Sequence, residues 1–136
     1  MACPYFYPVK KLDSNAWVIP PRLPLGDPYT GECRATTPAA RPDEDQLRTT
    51  CNVGYGRGRC ECFPPDAESD AVRFHVEQDH GETIRILYVF ESFCRPLRHG
   101  WFEYSVVARA LTDAGGNALL DAQAVAFVES YLRRRA

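Results

Sequence analysis

The spacing of apolar and polar positions divides the chain into two unlike halves. The second half is regular. Ala71-Val72-Arg73-Phe74-His75-Val76 alternates and places Val72, Phe74 and Val76 on one face of a strand. Asp79-His80-Gly81 reads as a turn, and Thr83 to Phe90 as a second strand with Ile84, Ile86, Tyr88 and Phe90 on a common face. Together they predict a hairpin. Trp101 to Leu111 carries two periods at once. Phe102, Tyr104, Val106 and Ala108 fit a third antiparallel strand, whereas Phe102, Val106 and Ala110 fit a helix ended by Gly115-Gly116; the strand is preferred. Ala118 to Arg135 predicts an amphipathic helix with a stripe of Leu120, Ala124, Phe127, Val128, Tyr131 and Leu132, and with Arg133, Arg134 and Arg135 at its negative end.

The first half has no such period. Prolines at 4, 8, 20, 21, 24, 28, 38 and 42 restrict their own φ and the residue before each, so long helices and central strands are not expected. Tyr5, Phe6, Tyr7, Trp17, Val18, Ile19, Leu23, Leu25 and Tyr29 are nevertheless too many large apolar groups for a solvated linker. A buried coil of this kind needs an organiser other than backbone ladders, and a metal site is one. The turn cluster 26–31 delivers Cys33. Pro42 to Asn52 predicts a short helix, with Pro42 at its first position, Asp43, Glu44 and Asp45 at its positive end, and Leu47 and Cys51 on one face. Asn52 or Gly54 terminates it. The expected fold class is α+β: a small antiparallel sheet with a C-terminal helix, plus a proline-rich N-terminal coil organised by a cysteine-bound centre. The 136 residues form one domain, with a cysteine-bearing part over 1–65 and strands and helix over 70–136. No internal repeat is present.

Composition changes this picture mainly through what it excludes. With 45% hydrophobic and 12% aromatic residues there is material for a core, and a net charge of −2 gives no global attraction to nucleic acid or anionic membrane. Apolar runs such as 86–90 are strand-sized, far short of the roughly 20 residues a bilayer requires. The opening Met-Ala-Cys-Pro-Tyr-Phe-Tyr-Pro lacks a basic stretch followed by an apolar helix, so it is not read as a signal peptide. The expectation is a cytoplasmic protein. In a reducing compartment, six cysteines point to metal or redox chemistry before disulfides.

The cysteines are Cys3, Cys33, Cys51, Cys60, Cys62 and Cys94, with eight residues between Cys51 and Cys60. No Cys-x-x-Cys knuckle and no ferredoxin-type run occurs, so any shared centre must be gathered by the fold. Three features favour iron–sulfur over zinc. Cys3 precedes a proline. Gly54, Gly56 and Gly58 permit close backbone approach, and their N–H groups can donate to sulfur. Arg57 and Arg59 can offset thiolate charge, while Tyr5, Phe6, Tyr7, Trp17, Tyr55 and Phe63 can exclude water. The bland alternative for the glycines is a tight turn without a ligand. The expected ligands are Cys3, Cys33, Cys51 and Cys60. Cys62 is held in reserve, because side chains two apart in an extended piece point oppositely. Cys94, in Ser-Phe-Cys-Arg-Pro, reads as a buried free cysteine.

The run Cys51-Asn52-x-Gly54-Tyr55-x-Arg57-Gly58-x-Cys60-x-x-Phe63-Pro64, with an early Cys3-Pro4 and a late Tyr131-Leu132-Arg133-Arg134, resembles small bacterial cysteine-cluster proteins of iron–sulfur type. The resemblance covers most of the chain. It implies a cysteine-bound centre at Cys51 and Cys60 and carries no substrate.

Other chemistry is sparse. His75 and His80 read as solvated. His99 precedes Gly100 without a nucleophile motif beside it, so Ser-His-Asp catalysis has little support. Glu91 and Glu103 flank strands without sign of pairing. Tyr55, Arg57 and Arg59 with Arg133 to Arg135 could contact nucleic acid, but interleaved acids argue against it. The expected function is an iron–sulfur protein, [4Fe–4S], acting as electron carrier or redox sensor for a protein partner. The alternative is a structural zinc or cluster site in a protein- or nucleic-acid-binding module. An independent enzyme is the lesser expectation.

Overall fold

Among the residues described by the computed structural model, 2–13 and 24–135, the chain forms two antiparallel sheets and one long helix. Trp17, Val18, Ile19 and Leu23 lie outside the described residues. Strands β1 (Phe6–Lys11) and β2 (Tyr29–Cys33) make a two-stranded sheet. Helix α1 (Glu44–Gln46) runs into a single π-helical turn (Leu47–Cys51). Strands β3 (Ala71–Asp79), β4 (Thr83–Ser92), β5 (Arg95–Ser105) and β6 (Ala110–Leu111) form a meander in that order, and α2 (Ala118–Arg135) closes the chain. The α+β class with a small antiparallel sheet and a C-terminal helix is therefore what the chain forms.

The meander follows its alternation. Val72, Phe74, Ile84, Ile86, Phe90, Phe102 and Tyr104 are buried, and α2 supplies Leu120, Ala124 and Val128 against them. Phe127 stacks on Phe74 with centroids 5.6 Å apart. Helix α2 starts because Asn117 accepts the Leu120 N–H at 3.1 Å, and Arg133 to Arg135 occupy its last turn. No described helix is long and apolar enough to cross a membrane.

Several expectations are corrected. The proline-rich half is not all coil: β1 and β2 pair from Phe6↔Cys33 to Lys11↔Tyr29. Pro8 is tolerated because the ladder slips between Pro8 and Lys10, leaving Val9 unpaired and 64% exposed. Gly31 sits inside β2, not in a turn, where an added Cβ would collide with the Tyr7 carbonyl. Pro42 lies outside the helix. Asp43 is the cap, accepting the Gln46 N–H at 2.8 Å while the Gln46 side chain accepts the Asp43 N–H. β5 begins at Arg95, six residues before Trp101, because Phe93 and Cys94 turn the hairpin with φ of 51° and 61°. That turn normally announces itself with Asn-Gly, so it left no signal. Cys94 is consequently exposed, not buried. At the other end the strand stops at Ser105, whose Oγ accepts the Ala108 N–H, so Val106 and Ala108 leave the ladder. Glu91 is neither flanking nor unpaired. It is a buried residue of β4, bound by Arg73 at 2.6 Å and by the Tyr55 hydroxyl at 2.7 Å.

The end of α2 is latched to the β3–β4 turn through Asp79, which accepts from the Tyr131 hydroxyl at 2.6 Å and from Arg135 at 2.8 Å. The Tyr131 hydroxyl, the Gly81 N–H and Arg135 pull the Asp79 carboxyl down to about 2. A depressed carboxyl adds stability above its ordinary value of 3.8 and loses it as pH falls through about 2. The stability difference between wild type and Asp79→Asn, from urea titrations, is expected to be constant above pH 4 and to vanish as pH approaches 2.

Candidate metal centre

Four separate segments bring cysteines to one place. Cys3 follows Ala2, which is bonded to Val72 in both directions at 2.8 and 2.9 Å; the Cys3 N–H itself donates to the Cys51 carbonyl at 3.0 Å. Cys33 ends β2 and is fixed by paired backbone bonds with Ala40. Cys51 ends the π-helical turn, on the same buried side as Leu47. The wider π winding, closed by Asn52 N–H to the Leu47 carbonyl at 3.1 Å, re-aims the last residues of the helix, a device common at functional sites. Cys60 lies in a turn in which its N–H donates to the Gly56 carbonyl at 2.7 Å. Gly56 packs closely there: a Cβ would stand 3.3 Å from the Cys60 Cβ and 3.4 Å from the Phe63 ring.

Cys3, Cys33, Cys51, Cys60 and Cys62 all line a single cavity of about 20 Å³. The other lining residues are Tyr5, Phe6, Ala35, Thr50 and Phe63, so no carboxylate or imidazole reaches it. Cys62 shares the cavity because residues 60–63 are a turn, with Phe63 N–H on the Cys60 carbonyl at 3.2 Å; the alternation rule for extended chain does not apply to it. Cys94 is remote from the cavity lining, in the exposed hairpin turn. All six cysteines are free thiols.

The electrostatics of the cavity favour neutral thiols. Burial pushes the Cys3 thiol up to about 12, and Cys33 and Cys60 raise it further, while the N–H groups of Tyr5 and Phe6 donate to its sulfur and work the other way. Cys51 is also pushed up to about 12, by burial first and then by Cys3, with the Thr50 side chain opposing. Burial, Cys33 and Cys60 raise Cys62. Thiolates crowded in a dry cavity repel one another and are poorly solvated; a bound metal removes both penalties and expels the protons.

The residues expected around the centre are placed as follows. Gly54 and Gly58 both have φ of 78°, the left-handed region that glycine permits. Tyr55 adopts φ 57° without being glycine, held by its N–H on the Asp70 carbonyl and by its hydroxyl, which donates to Glu91 and accepts the Cys94 N–H. Arg57 does not point its charge at the thiols. Its guanidinium binds Asp70 at 2.8 Å and the carbonyls of Pro65 and Ala67, and lies 5.2 Å from the Phe63 ring. Phe63, edge-on to Tyr5 at 5.6 Å, is thus clamped over the cavity. Burial works against the Asp70 charge, but the Phe93 N–H and Arg57 outweigh it and hold the carboxyl below its usual range. Arg59 is exposed.

Two supporting residues had escaped sequence reasoning. Gln123, buried on α2, donates to the carbonyls of Cys3 and Phe6 at 2.8 and 2.7 Å, tying the helix to the Cys3 turn. A glutamine within an apolar helical stripe was the available signal. Asn52, read only as a terminator, accepts the Tyr29 N–H and donates to the carbonyls of Tyr29 and Leu47, tying β2 to the π-helical turn. A larger open cleft of about 540 Å³ runs along α2 beside β1 and β6, lined mainly by aliphatic groups and distinct from the thiols.

No family model, curated protein or solved structure matches this chain.

Gln123→Leu keeps the bulk and removes both bonds; the Cys3 carbonyl keeps the Phe6 N–H, while the Phe6 carbonyl loses its side-chain donor. A loss of about 2 kcal/mol is expected, read as a lower urea midpoint at unchanged slope. Because the Cys3 and Cys51 values of about 12 lie above the free-thiol 9.0, the metal-free reduced protein keeps their contribution below pH 9 and loses it as pH rises toward 12. Cys51→Ser should lose less stability than wild type across that window in parallel denaturation titrations.

Proposed function

We propose that this protein binds a [4Fe–4S] cluster through Cys3, Cys33, Cys51 and Cys60 and serves a protein partner as an electron carrier or redox sensor. The observation that carries the reading is the convergence of thiols from four separate segments on one apolar cavity with no carboxylate or imidazole among its described lining residues. An all-thiolate donor set suits zinc or iron–sulfur. Among the described residues no three His, Cys, Asp or Glu side chains meet closely enough to hold a single ion. When bound, such a cluster exchanges one electron at a time, with a potential set by hydrogen bonds to sulfur and by solvent access. The chain supplies both controls: the Tyr5 and Phe6 N–H groups donate to the Cys3 sulfur, and Tyr5, Phe6 and Phe63 keep water out.

A second reading is a structural zinc site. The cavity of about 20 Å³ favours it, since that space takes one atom-sized occupant. In either case the centre joins β2, the π-helical turn and the N-terminus, and the free thiols suit a reducing cytoplasm. A protein partner is preferred over nucleic acid because Arg57, Arg133 and Arg135 are engaged by Asp70, Asp27 and Asp79.

Anaerobic purification with iron, sulfide and zinc analysis tests the reading. A brown protein with about four irons and four sulfides per chain is expected. A colourless protein with one zinc overturns the cluster in favour of the structural ion. Cys51→Ser should abolish the centre, and Cys94→Ser should leave it intact.

A further inference from the structure

The cavity holds one thiol too many. Four cysteines complete a tetrahedral or cubane centre, yet five line this one. The five are not equivalent. Cys3 and Cys51 are deep and fixed by backbone bonds to each other, and Cys33 is anchored at the end of β2 by Ala40. Cys62 is half-buried and lies in hydrogen-bond contact with the Cys60 sulfur. One residue separates the pair, within a turn closed by Phe63 N–H on the Cys60 carbonyl, so joining the two sulfurs closes the smallest loop the site offers. The flanking glycines, Gly56 and Gly58, leave that segment free to adjust, and nothing stands within 4 Å of a Cβ placed at Gly58.

Resting on the metal-centre reading above, we propose that Cys62 is a peroxide-reactive thiol that forms a disulfide with Cys60 and thereby withdraws one ligand and releases the centre. The step balances with a hydroperoxide as oxidant. The Cys62 sulfur attacks the O–O bond and becomes a sulfenic acid, and the peroxide leaves as alcohol, or as water from hydrogen peroxide. The Cys60 sulfur then attacks the Cys62 sulfur, the S–S bond forms, and hydroxide leaves as water. Two thiols give up two electrons and two protons to one peroxide. Three ligands remain, which weakens the hold on the centre, and reduction by a dithiol restores the pair. Cys62 reacts first because it is the lining thiol outside the four proposed ligands, and its hydrogen-bonded neighbour Cys60 resolves it.

The test treats the protein as purified, and separately its metal-free form, with hydrogen peroxide under anaerobic conditions. Disulfides are then mapped by mass spectrometry without reduction, and released metal is counted. Wild type is expected to yield a peptide carrying Cys60 and Cys62 that is lighter by two hydrogens and reverts with dithiothreitol. Cys62→Ser is expected to bind the centre as wild type does and to release it about tenfold more slowly. A disulfide joining other cysteines, release from Cys62→Ser as fast as from wild type, or failure of Cys62→Ser to bind the centre would each overturn the proposal. The metal-free arm keeps the two readings apart. If the purified protein carries no metal, the metal-centre reading fails, and the thiol pair still stands or falls on the linked peptide.

Discussion

The pair Ala2-Cys3 is the piece on which the rest of the arrangement depends. Ala2 forms a backbone bridge with Val72 of β3, and Cys3 donates to the Cys51 carbonyl at the end of the π-helical turn. Two adjacent residues therefore join the four-stranded meander to the cysteine-bearing half. Gln123 adds a third attachment, from α2 to the carbonyls of Cys3 and Phe6. Because Ala2 and Phe6 are almost wholly buried, this segment cannot shift without opening the core, and the core runs unbroken from Ala2 to Val128. The thiol site lies at that junction and draws its ligand candidates from the cysteine-bearing half.

Electrostatics and packing then oppose one another in an instructive way. Hydrophobic burial of Phe6, Phe63, Leu47 and Cys51 draws the thiols into a dry cavity, while the same burial penalises their charged forms. A metal-free chain can satisfy packing with neutral thiols. On the proposed reading, a bound cation would let the sulfurs carry charge there and would link the folding of the loop-rich half to occupancy of the site. The arginines do not compensate the thiols directly. Arg57 holds Asp70, and Arg73 holds Glu91, so positive charge near the site is used to bury carboxylates and to clamp the aromatic cover.

The candidate site was legible in the sequence to an unusual degree given its irregular spacing, and for a physical reason. Cysteine is the residue whose chemistry least needs its neighbours to be recognised, so Cys3, Cys33, Cys51 and Cys60 could be singled out without knowing the fold. What could not be read was their company. Cys62 was set aside by a rule for extended chain, and the chain at 60–63 is a turn. Cys94 was taken for a core residue because Phe93 and the strand residues around it are apolar, yet both sit in a left-handed hairpin turn at the surface. Glu91 looked solvated until Tyr55 and Arg73, far away in sequence, were seen to partner it.

The sequence by itself determined the meander strands β3 and β4, the helix over 118–135, and the presence of a thiol-rich, loop-built half, because period and residue chemistry are local properties. The tertiary structure alone decided the rest. It set where β5 begins, since two left-handed non-glycine residues carry no turn signature. It paired β1 with β2 across a proline, since a bulge at Val9 removes the need for the missing donor. It also decided which thiols share a cavity, since that depends on Gln123, Asn52 and the Ala2–Val72 bridge, contacts between residues 23 to 120 positions apart.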